Sequence, residues 1–468
     1  MTALSHRVIR LAGCASLLFA HSKAPAQDTN YLLLSQAVQT GMQNYQSILA
    51  KRNYLAASSE LVINSRKEYL PNLLGSLQQA YGTVNGQFGP LGPYGIAGTS
   101  SAGPIGRQSW NAGFGALYVI NSNWEVFSFG RLRSRIAYSM TLVKNDSADL
   151  VQEEFIQGVK ISGAYLNLLV SQTLYKNALA NLDRARQVQY AVLARTKNGL
   201  NAGVDSSFAN ADVSNARLVI IDATNAVQQY SNQLAQLING PTLAYVADTS
   251  FLTTLPKVYN SSWTVEQNPQ VLFYKSRVEV SNSYARLLAK SILPGVNLFG
   301  IFQSRGSGFA DDYTAGSHDY TGGYWAGINP ARSNYVAGLS ISWNIFSAAK
   351  IKHQLLAQQS ISKGLQNEYD LIDTQLKDEL LLANQRIETG LQAWKEAPVQ
   401  LKAAQDAYVQ KSVLYKNGLT NIIDLQQALY LLNRAETDMS VAYVNVWQAL
   451  LQKAAATGDF NLFLNQVK

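Results

Sequence analysis

The sequence predicts a mainly α-helical protein with a β-barrel part, built as two copies of one helix–hairpin–helix unit. Three observations support this prediction. The chain resembles itself at an offset of 219 residues, glycine is concentrated in two stretches, and the rest has the spacing of long, supercoiled helices. Self-similarity at a fixed offset indicates repeated structural units, so each half of the chain should fold as one unit.

The duplication is clearest in two short segments that have the pattern of a helix end, a turn and a new helix. They share the order Asn-Gly-Leu followed by Asp: Asn198, Gly199, Leu200 and Asp205, then Asn417, Gly418, Leu419 and Asp424. Glycine suits the left-handed position that closes a helix, and an acidic residue is favoured in the first turn of the next one. The same offset relates Trp124 to Trp343 and Phe127 to Phe346.

Residues 1–26 have the pattern of a secretory signal peptide. Arg7 and Arg10 precede a short apolar core, and an Ala-Pro-Ala cleavage pattern ends at Ala26. We therefore expect the mature chain to begin at the next residue. The alternative is lipidation at Cys14, whose neighbours resemble a lipobox, although this cysteine lies inside the apolar core.

Composition excludes several classes of function. The chain carries 38 Lys and Arg against 30 Asp and Glu, and cleavage would remove three of the basic residues, which leaves a dispersed net charge of +5. This charge is too mild to indicate a nucleic-acid partner. We find no Cys or His ligand cluster, no Gly-rich phosphate loop after a strand and no Gly-x-Ser-x-Gly motif. The sequence therefore predicts no enzyme activity, no metal site and no cofactor.

The two glycine-rich stretches, 71–130 and 294–347, together hold 21 of the 32 glycines. Apolar residues alternate with polar or small ones in both, which is the pattern of strands with one apolar face. One such series is Tyr335, Ala337, Leu339, Ile341, Trp343 and Ile345. We therefore predict two hairpins, at about 71–124 and about 294–345, and four strands in all.

Four strands are too few for a membrane barrel, because such barrels begin at 8 strands and hydrocarbon does not tolerate open sheet edges. No mature segment has 18 consecutive apolar residues, so a membrane span would have to be a β-barrel shared between subunits. Aromatic residues near the strand ends fit the interfacial girdle of such a barrel: Tyr94, Trp110, Tyr313, Tyr320, Tyr324 and Trp325. The alternative is an ordinary soluble hairpin with exposed tyrosines.

Residues 131–197 contain no proline and as one helix would be ~100 Å long. Residues 350–416 match them except for Pro398, where we expect a kink or a break. Beyond the tips near residues 199 and 418, apolar residues step by three and four. These two seams are Leu425, Ala428, Leu432, Ala435, Met439, Ala442, Val446 and Ala449, with Ser206, Ala209, Val213, Ala216, Ile220, Ala223, Val227 and Tyr230. A period of 3.5 indicates supercoiled helices, either shared between subunits or paired within one protomer.

The expected organisation has four parts after the signal peptide. A first repeat spans 27–240, a connecting segment 241–262, a second repeat 263–455 and a C-terminal tail 456–468. Each repeat is predicted to contain a helix, then a hairpin, then a long helix pair. The helix of the second repeat should begin at Asn268-Pro269, because proline is favoured at the first helical position.

The order of these features, and their repetition in both halves of the chain, resemble those of the outer-membrane efflux proteins, also called TolC-like outer-membrane factors. Leu-Pro pairs lead into the strands at Pro71 and Pro294, and Trp-x-x-Phe follows each hairpin. The resemblance covers essentially the whole mature chain. It implies a homotrimer whose 12 strands form one β-barrel in outer-membrane lipid, with a long periplasmic α-helical coiled-coil barrel. It also implies an exit duct of a tripartite efflux or type I secretion system.

The resemblance further implies that the tips dock to a periplasmic adaptor (membrane fusion) protein, which joins the duct to an inner-membrane transporter. The tip residues would be Asn198, Gly199, Leu200, Asn417, Gly418, Leu419 and Thr420. The family has Val before the tip glycine, where this chain has Asn. The tunnel would be narrowest at a ring of Asp424, with Asp205 nearby, and Gln427 stands where the family often has a second Asp. Like charges brought together raise one another's pKa and attract cations. Alternatively, Asp424 only complements a helix N-terminus.

A second function class is a stand-alone outer-membrane porin with a periplasmic stalk. A porin does not need paired helical turns at a common depth, so the doubled Asn-Gly-Leu favours docking. The sequence does not indicate the cargo.

Overall fold

The computed structural model describes residues 30–86, 106–242, 244–260, 263–314 and 317–466. The predicted signal peptide, with Cys14, lies outside these ranges, and so does Tyr94. None of the helices in the described ranges is long and apolar enough to cross a membrane.

The first repeat contains two short helices, a hairpin and two long helices. Its elements are β1 (Asn30–Leu32), α1 (Leu34–Asn44), α2 (Gln46–Lys67), β2 (Asn72–Thr83), β3 (Ala112–Phe127), α3 (Arg131–Lys197) and α4 (Gly203–Ile238). Helix α3 has the bounds that the sequence predicts, because nothing in its 67 residues interrupts the backbone ladder.

The second repeat follows the same order after a short strand in the connecting segment. Its elements are β4 (Tyr245–Ala247), α5 (Pro269–Lys290), β5 (Gly295–Ser307), α6 (Tyr324–Ile328), β6 (Arg332–Ser342), α7 (Ser347–Lys416), α8 (Ile422–Thr457) and α9 (Phe460–Leu464). The Asn268 side chain caps α5 by accepting a hydrogen bond from the Gln270 amide at 2.9 Å.

The break considered at Pro398 is absent, and α7 continues through this residue for 70 residues in total. A proline inside a helix removes one backbone hydrogen bond and crowds the preceding turn. The neighbouring Ala397 is buried, so tertiary packing holds this turn in place. Packing along the rest of α7 therefore offsets the free-energy cost of a proline inside the helix.

Within the described ranges, one antiparallel sheet contains four strands in the order β2-β3-β5-β6. The two hairpins lie side by side because β3 pairs with β5 over most of its length, for example Tyr118 opposite Ser304. Strands β2 and β6 are the edges, and their outer backbone groups have no neighbouring strand in the described chain. Such edges are templates for pairing with another chain.

The two faces of this sheet differ in polarity. On one face, Leu77, Ile120, Phe302 and Tyr335 are all exposed, and Tyr335 retains 85% of its accessible surface. This apolar face is the one that the sequence pattern predicts. The opposite face is more polar and carries Gln303 opposite Asn334, although it also includes the apolar pair Ile301 and Val336. An exposed apolar surface of this extent indicates contact with a membrane or another protein.

Matched tryptophans join the sheet to the helices. Trp124 donates a hydrogen bond from its indole nitrogen to the Tyr69 carbonyl oxygen at 2.7 Å. Trp343, its equivalent in the second repeat, donates to the Ile292 carbonyl oxygen at 3.0 Å. Each acceptor lies two residues before the proline that leads into a strand, so the repeated tryptophans make the same contact in both repeats.

The residues of both predicted seams are buried or half-buried. The seam of α4 packs against α3 and also reaches α8, since Val213 and Ala216 share a cluster with Leu182, Ala185 and Leu429. The alternation of large and small residues allows this close approach. The seams are therefore buried within one chain, as expected for helices that pair within one protomer. They also connect the two repeats.

The largest core cluster lies where the connecting segment meets the long helices. Tyr165 of α3 is fully buried there, donates to the Leu32 carbonyl oxygen at 2.8 Å and accepts from the Asp248 amide at 2.7 Å. Phe251 packs edge-on against both Tyr165 and Trp447. Strand β1 pairs with β4, so the start of the described chain is fixed to this junction.

Candidate functional site

The two helix turns have nearly the same backbone. Gly199 and Gly418 adopt φ values of +70° and +75°, the left-handed conformation that glycine adopts without strain. The Leu200 amide donates to the Arg195 carbonyl oxygen, and the Leu419 amide donates in the same way to Leu414, each at 2.9 Å. Together with the glycine amide bonds, these form a Schellman motif that ends each long helix. The prediction for both glycines is confirmed.

Both turns present apolar side chains to solvent. Leu200 retains 69% of its accessible surface and Leu419 retains 72%. The adjacent Asn198 and Asn417 are also exposed, whereas Thr420 is half-buried. We call these two exposed leucines, with the asparagines beside them, the tip surface.

Asp424 lies in the first turn of α8 and has three polar contacts. Its carboxylate accepts hydrogen bonds from the Lys411 ammonium and the Thr420 hydroxyl, both at 2.8 Å, and its amide donates to the Asn421 side chain at 2.9 Å. Asp424 therefore complements the helix N-terminus, as the structural alternative states, and also pairs with Lys411 of α7. Its side chain remains 39% exposed, so it is available to further groups.

The Lys411 ammonium and the Thr420 hydroxyl hold the pKa of Asp424 below the ordinary value of an aspartate. Within one chain, this shift is opposite to the one that a ring of repelling carboxylates would cause. Each copy of Asp424 thus has a positive partner that sequence reasoning did not identify.

Asp205, the equivalent residue of the first repeat, has different partners. Its carboxylate accepts a hydrogen bond from the Asn201 side chain at 2.8 Å. The same Asn201 amide also donates to the Tyr415 hydroxyl oxygen at 3.1 Å, which connects the first tip to α7. Tyr415 is buried against Val192 and Ile422, and this burial raises the pKa of its hydroxyl.

Arg195 makes the strongest connection between the two tips. Its guanidinium donates to the carbonyl oxygens of Tyr415 at 3.1 Å and Lys416 at 3.3 Å, at the C-terminus of α7. It also donates to Asn201 at 2.9 Å and lies 5.4 Å from the centre of the Tyr415 ring. A cation is favoured at a helix C-terminus and over an aromatic face. Arg195, Asn201 and Tyr415 therefore form a latch between the repeats.

Gln427 is exposed, whereas its neighbour Gln426 is half-buried. The Gln426 amide donates to the Asp212 carboxylate of α4. Burial raises the pKa of Asp212, although this hydrogen bond acts in the opposite direction. A second acidic group therefore lies at the contact between α4 and α8, two helical turns beyond Asp205.

The latch residues were not predicted from the sequence. The 219-residue offset relates Arg195 to Leu414 and Asn201 to Thr420, so the latch occupies positions where the two repeats differ. The signal available in the sequence was that these positions differ between the two repeats, although the turn pattern around them is the same. Lys411, whose equivalent is the buried Val192, shows the same departure.

Residues 37–240 match the family model described as outer membrane efflux protein. This match confirms the resemblance to the outer-membrane efflux proteins seen in the sequence. Members of this family are outer-membrane efflux channels and not enzymes. No curated protein sequence matches the chain significantly.

Solved structures of channels have the same fold. VceC from Vibrio cholerae is 15% identical, covers 91% of this chain and 96% of its own, and superposes with a TM-score of 0.71. CmeC from Campylobacter jejuni, an outer membrane channel, is 13% identical over 97% and 94% of the two chains, with a TM-score of 0.72. CusC is 12% identical over 97% and 99%, with a TM-score of 0.74. At these identities the likeness establishes the fold of the chain.

The lowered pKa of Asp424 predicts how the second tip responds to acid. Because the folded pKa lies below the unfolded one, the ion pair with Lys411 is complete above about pH 4 and is lost as the pH falls further. We expect the carboxyl carbon signal of Asp424, measured by NMR on aspartate-labelled protein and assigned with Asp424→Asn, to stay unchanged from pH 7 to about pH 5. Titration of this signal between pH 7 and 5 would instead show repulsion between carboxylates.

Proposed function

We propose that the protein is the outer-membrane channel and exit duct of a tripartite efflux or type I secretion system. The observation that carries this proposal is the combination of an incomplete four-stranded sheet with two pairs of long helices that end in matched turns. The match of residues 37–240 to the outer membrane efflux protein model supports the same function. The channel would lie in the cell outer membrane and extend into the periplasm.

The active form would be a homotrimer. Strands β2 and β6 have open edges, and three copies of a four-stranded sheet would join edge to edge into one barrel of 12 strands. The apolar face would meet outer-membrane lipid and the polar face would line the lumen. The long helices would continue the barrel as a coiled-coil tunnel.

The assembly can be tested by mass. In detergent, the purified protein should have the mass of three chains, because a single chain would leave two sheet edges unpaired. Native mass spectrometry and light scattering would measure this mass, and circular dichroism would report the β structure. A single-chain mass with intact β signal would refute the shared barrel.

The tip surface would dock the periplasmic adaptor, which links the duct to an inner-membrane transporter. Leu200 and Leu419 are exposed apolar groups on rigid turns, and such groups provide binding energy when a partner buries them. The asparagines beside them offer hydrogen bonds at the rim. A stand-alone porin would have no use for this paired surface.

Crosslinking distinguishes docking from a stand-alone porin. A photoreactive residue at Leu419 or Leu200 should crosslink to a periplasmic partner in cells, whereas one at Leu381, an exposed leucine of α7 remote from the turns, should not. Crosslinks to another copy of this chain alone would favour the porin.

The latch and Asp424 would together form the gate. In a closed trimer, three copies of Asp424, with Asp205 and Gln427 nearby, would approach the axis of the tunnel. Arg195 would hold α7 against the first tip, so opening would require its two hydrogen bonds to the carbonyl oxygens of Tyr415 and Lys416 to break. The Lys411 partner would moderate the repulsion between the carboxylates.

Asp424→Ala should lower the cation preference of the channel in planar-bilayer recordings by roughly threefold, because it removes three carboxylates and leaves Lys411 without its partner. Lys411→Gln should shift the preference in the opposite direction. Asp370→Ala, at an exposed carboxylate elsewhere on α7, is the matched control and should leave selectivity unchanged. Unchanged selectivity in Asp424→Ala would mean that the residue is only a helix cap.

A further inference from the structure

A recess lies between α3, α4 and α8, about midway along α3. Its volume is about 580 Å³, which is within the range of about 300–1,000 Å³ for ligand pockets. All three helices contribute side chains to its walls, among them Leu174 of α3, Tyr230 of α4 and Gln448 of α8. The recess is therefore large enough for a small organic molecule.

The recess opens on the side of α3 that faces away from the largest core cluster. Tyr165 faces that cluster, since its ring packs against Phe251 of the connecting segment. Leu174, which lines the recess, follows Tyr165 by nine residues. At 100° per residue this is two and a half turns, so the two side chains lie on opposite sides of α3.

On α8 the recess shares a face with the residues proposed for the gate. Gln448 follows Gln427 by 21 residues, and Asn445 follows Asp424 by 21 residues. Residues seven apart occupy the same side of a supercoiled helix, and 21 residues are three such repeats. In the proposed tunnel the recess would therefore open toward the lumen, about 32 Å from the gate at a rise of 1.5 Å per residue.

A neighbouring chain would not fill this recess. In this part of the chain the helices lie in the order α4, α3, α8 and α7, so α4 and α7 are the outer helices that a neighbour would contact. The recess lies over α3, between α4 and α8. Leu218 and Ile221, which α4 leaves exposed, lie about 100° and 160° around the helix from Val219, which lines the recess. A neighbour that packs on Leu218 and Ile221 would leave the recess open.

The recess combines an apolar lining with hydrogen-bonding groups. Val170, Leu174 and Ala223 are among the apolar residues of the lining. The Gln448 amide donates to the side-chain oxygen of Asn167 at 2.9 Å, which fixes the orientation of both side chains. The Asn167 amide hydrogens and the Gln448 oxygen are then available to a ligand.

The charge of the recess is negative. Of the described residues that line it, Asp222 of α4 is the only charged one, and its side chain is exposed. No Lys or Arg of the lining compensates this carboxylate, so an anion would be repelled. A small hydrated metal ion would make no use of the apolar lining. The occupant that fits both features is a positive charge carried on an apolar body.

We propose that this recess binds an organic monocation with an apolar body, whose charge lies beside the Asp222 carboxylate. The proposal rests on the channel function proposed above, because the recess meets cargo only when the helices form a tunnel. A homotrimer would carry three such sites around its lumen.

The test compares two ions of nearly the same shape and opposite charge, tetraphenylphosphonium and tetraphenylborate. The purified assembly is kept in an uncharged detergent, and equilibrium dialysis against micelles alone measures the amount of each ion that the protein binds. The wild-type assembly should bind up to one tetraphenylphosphonium per chain. It should bind tetraphenylborate at least roughly threefold more weakly, because the carboxylate attracts one ion and repels the other.

Two variants of the lining should change this binding in different ways. Asp222→Asn should weaken binding of tetraphenylphosphonium roughly threefold, as expected for the loss of one exposed ion pair, and should not weaken binding of tetraphenylborate. Ala226 is a half-buried residue of the lining. Ala226→Leu should weaken binding of both ions roughly tenfold, because the larger side chain takes apolar space from the ligand.

Asp183→Asn is the matched control. Asp183 is an exposed carboxylate of α3 that follows Tyr165 by 18 residues, which is five full turns, so it lies on the side away from the recess. Both ions should bind to this variant as they bind to the wild type. Equal losses in Asp183→Asn and Asp222→Asn would show an effect of net charge and would overturn the proposal. Ala226→Leu without effect, or no binding of tetraphenylphosphonium to the wild type, would also overturn it.

Conductance in planar bilayers separates this proposal from the proposed function. A trimer that conducts ions and does not bind tetraphenylphosphonium would refute the recess alone. Single chains that conduct no ions and still bind this cation through Asp222 would refute the channel and support the binding site.

Discussion

The structure depends on one constraint, which is that backbone hydrogen-bonding groups at a sheet edge need partners. Each unpaired amide or carbonyl costs several kcal/mol in hydrocarbon, roughly the net worth of several ordinary hydrogen bonds. The β2-β3-β5-β6 sheet has one such edge on each side, together with a broad apolar face. In water, the apolar face would favour aggregation, and in lipid, the edges would be forbidden. In the proposed trimer, closure with further copies of the same sheet would resolve both problems, and the tunnel of helices would then follow from the covalent connection of α3 and α7 to the strands.

The two tips have the same backbone but make different side-chain contacts. The turn backbone is nearly identical in the two repeats, since Gly199 and Gly418 have φ values that differ by 5°. The side chains differ. Arg195 reaches the carbonyl oxygens at the end of α7, while its equivalent Leu414 has no charged group to return the contact. The first helix pair, α3 and α4, therefore binds the end of α7 through Arg195. The second helix pair, α7 and α8, is joined near its own tip by the ion pair between Lys411 and Asp424.

Local and periodic signals predicted most of the fold. The glycine turns, the bounds of α3 and the seam residues follow from backbone conformation and from burial that recurs every 3.5 residues. Contacts between residues far apart in the sequence carry no such signal, so the Arg195 latch and the pairing of β3 with β5 were not predicted. Helix α6 was missed because five residues inside a glycine-rich loop are too few for a periodic pattern. At Pro398 a strong local preference was overridden, since the packing of the surrounding turns outweighs one lost hydrogen bond.

The charges at the second tip determine how strongly the carboxylates of the proposed gate would repel one another. Three carboxylates near one axis repel, and without compensation the closed state would have to be maintained against that repulsion. In the proposed trimer, the Lys411 ammonium, 2.8 Å from the Asp424 carboxylate of its own chain, would lower the net charge at the axis, and the carboxylate, 39% exposed, would remain open to a cation. Lys411 and Thr420 lower the pKa of Asp424 within one chain, so they would act against the rise in pKa that neighbouring carboxylates cause. In the proposed gate, control of opening would lie with the hydrogen bonds of the latch, because the guanidinium of Arg195 stays protonated at physiological pH.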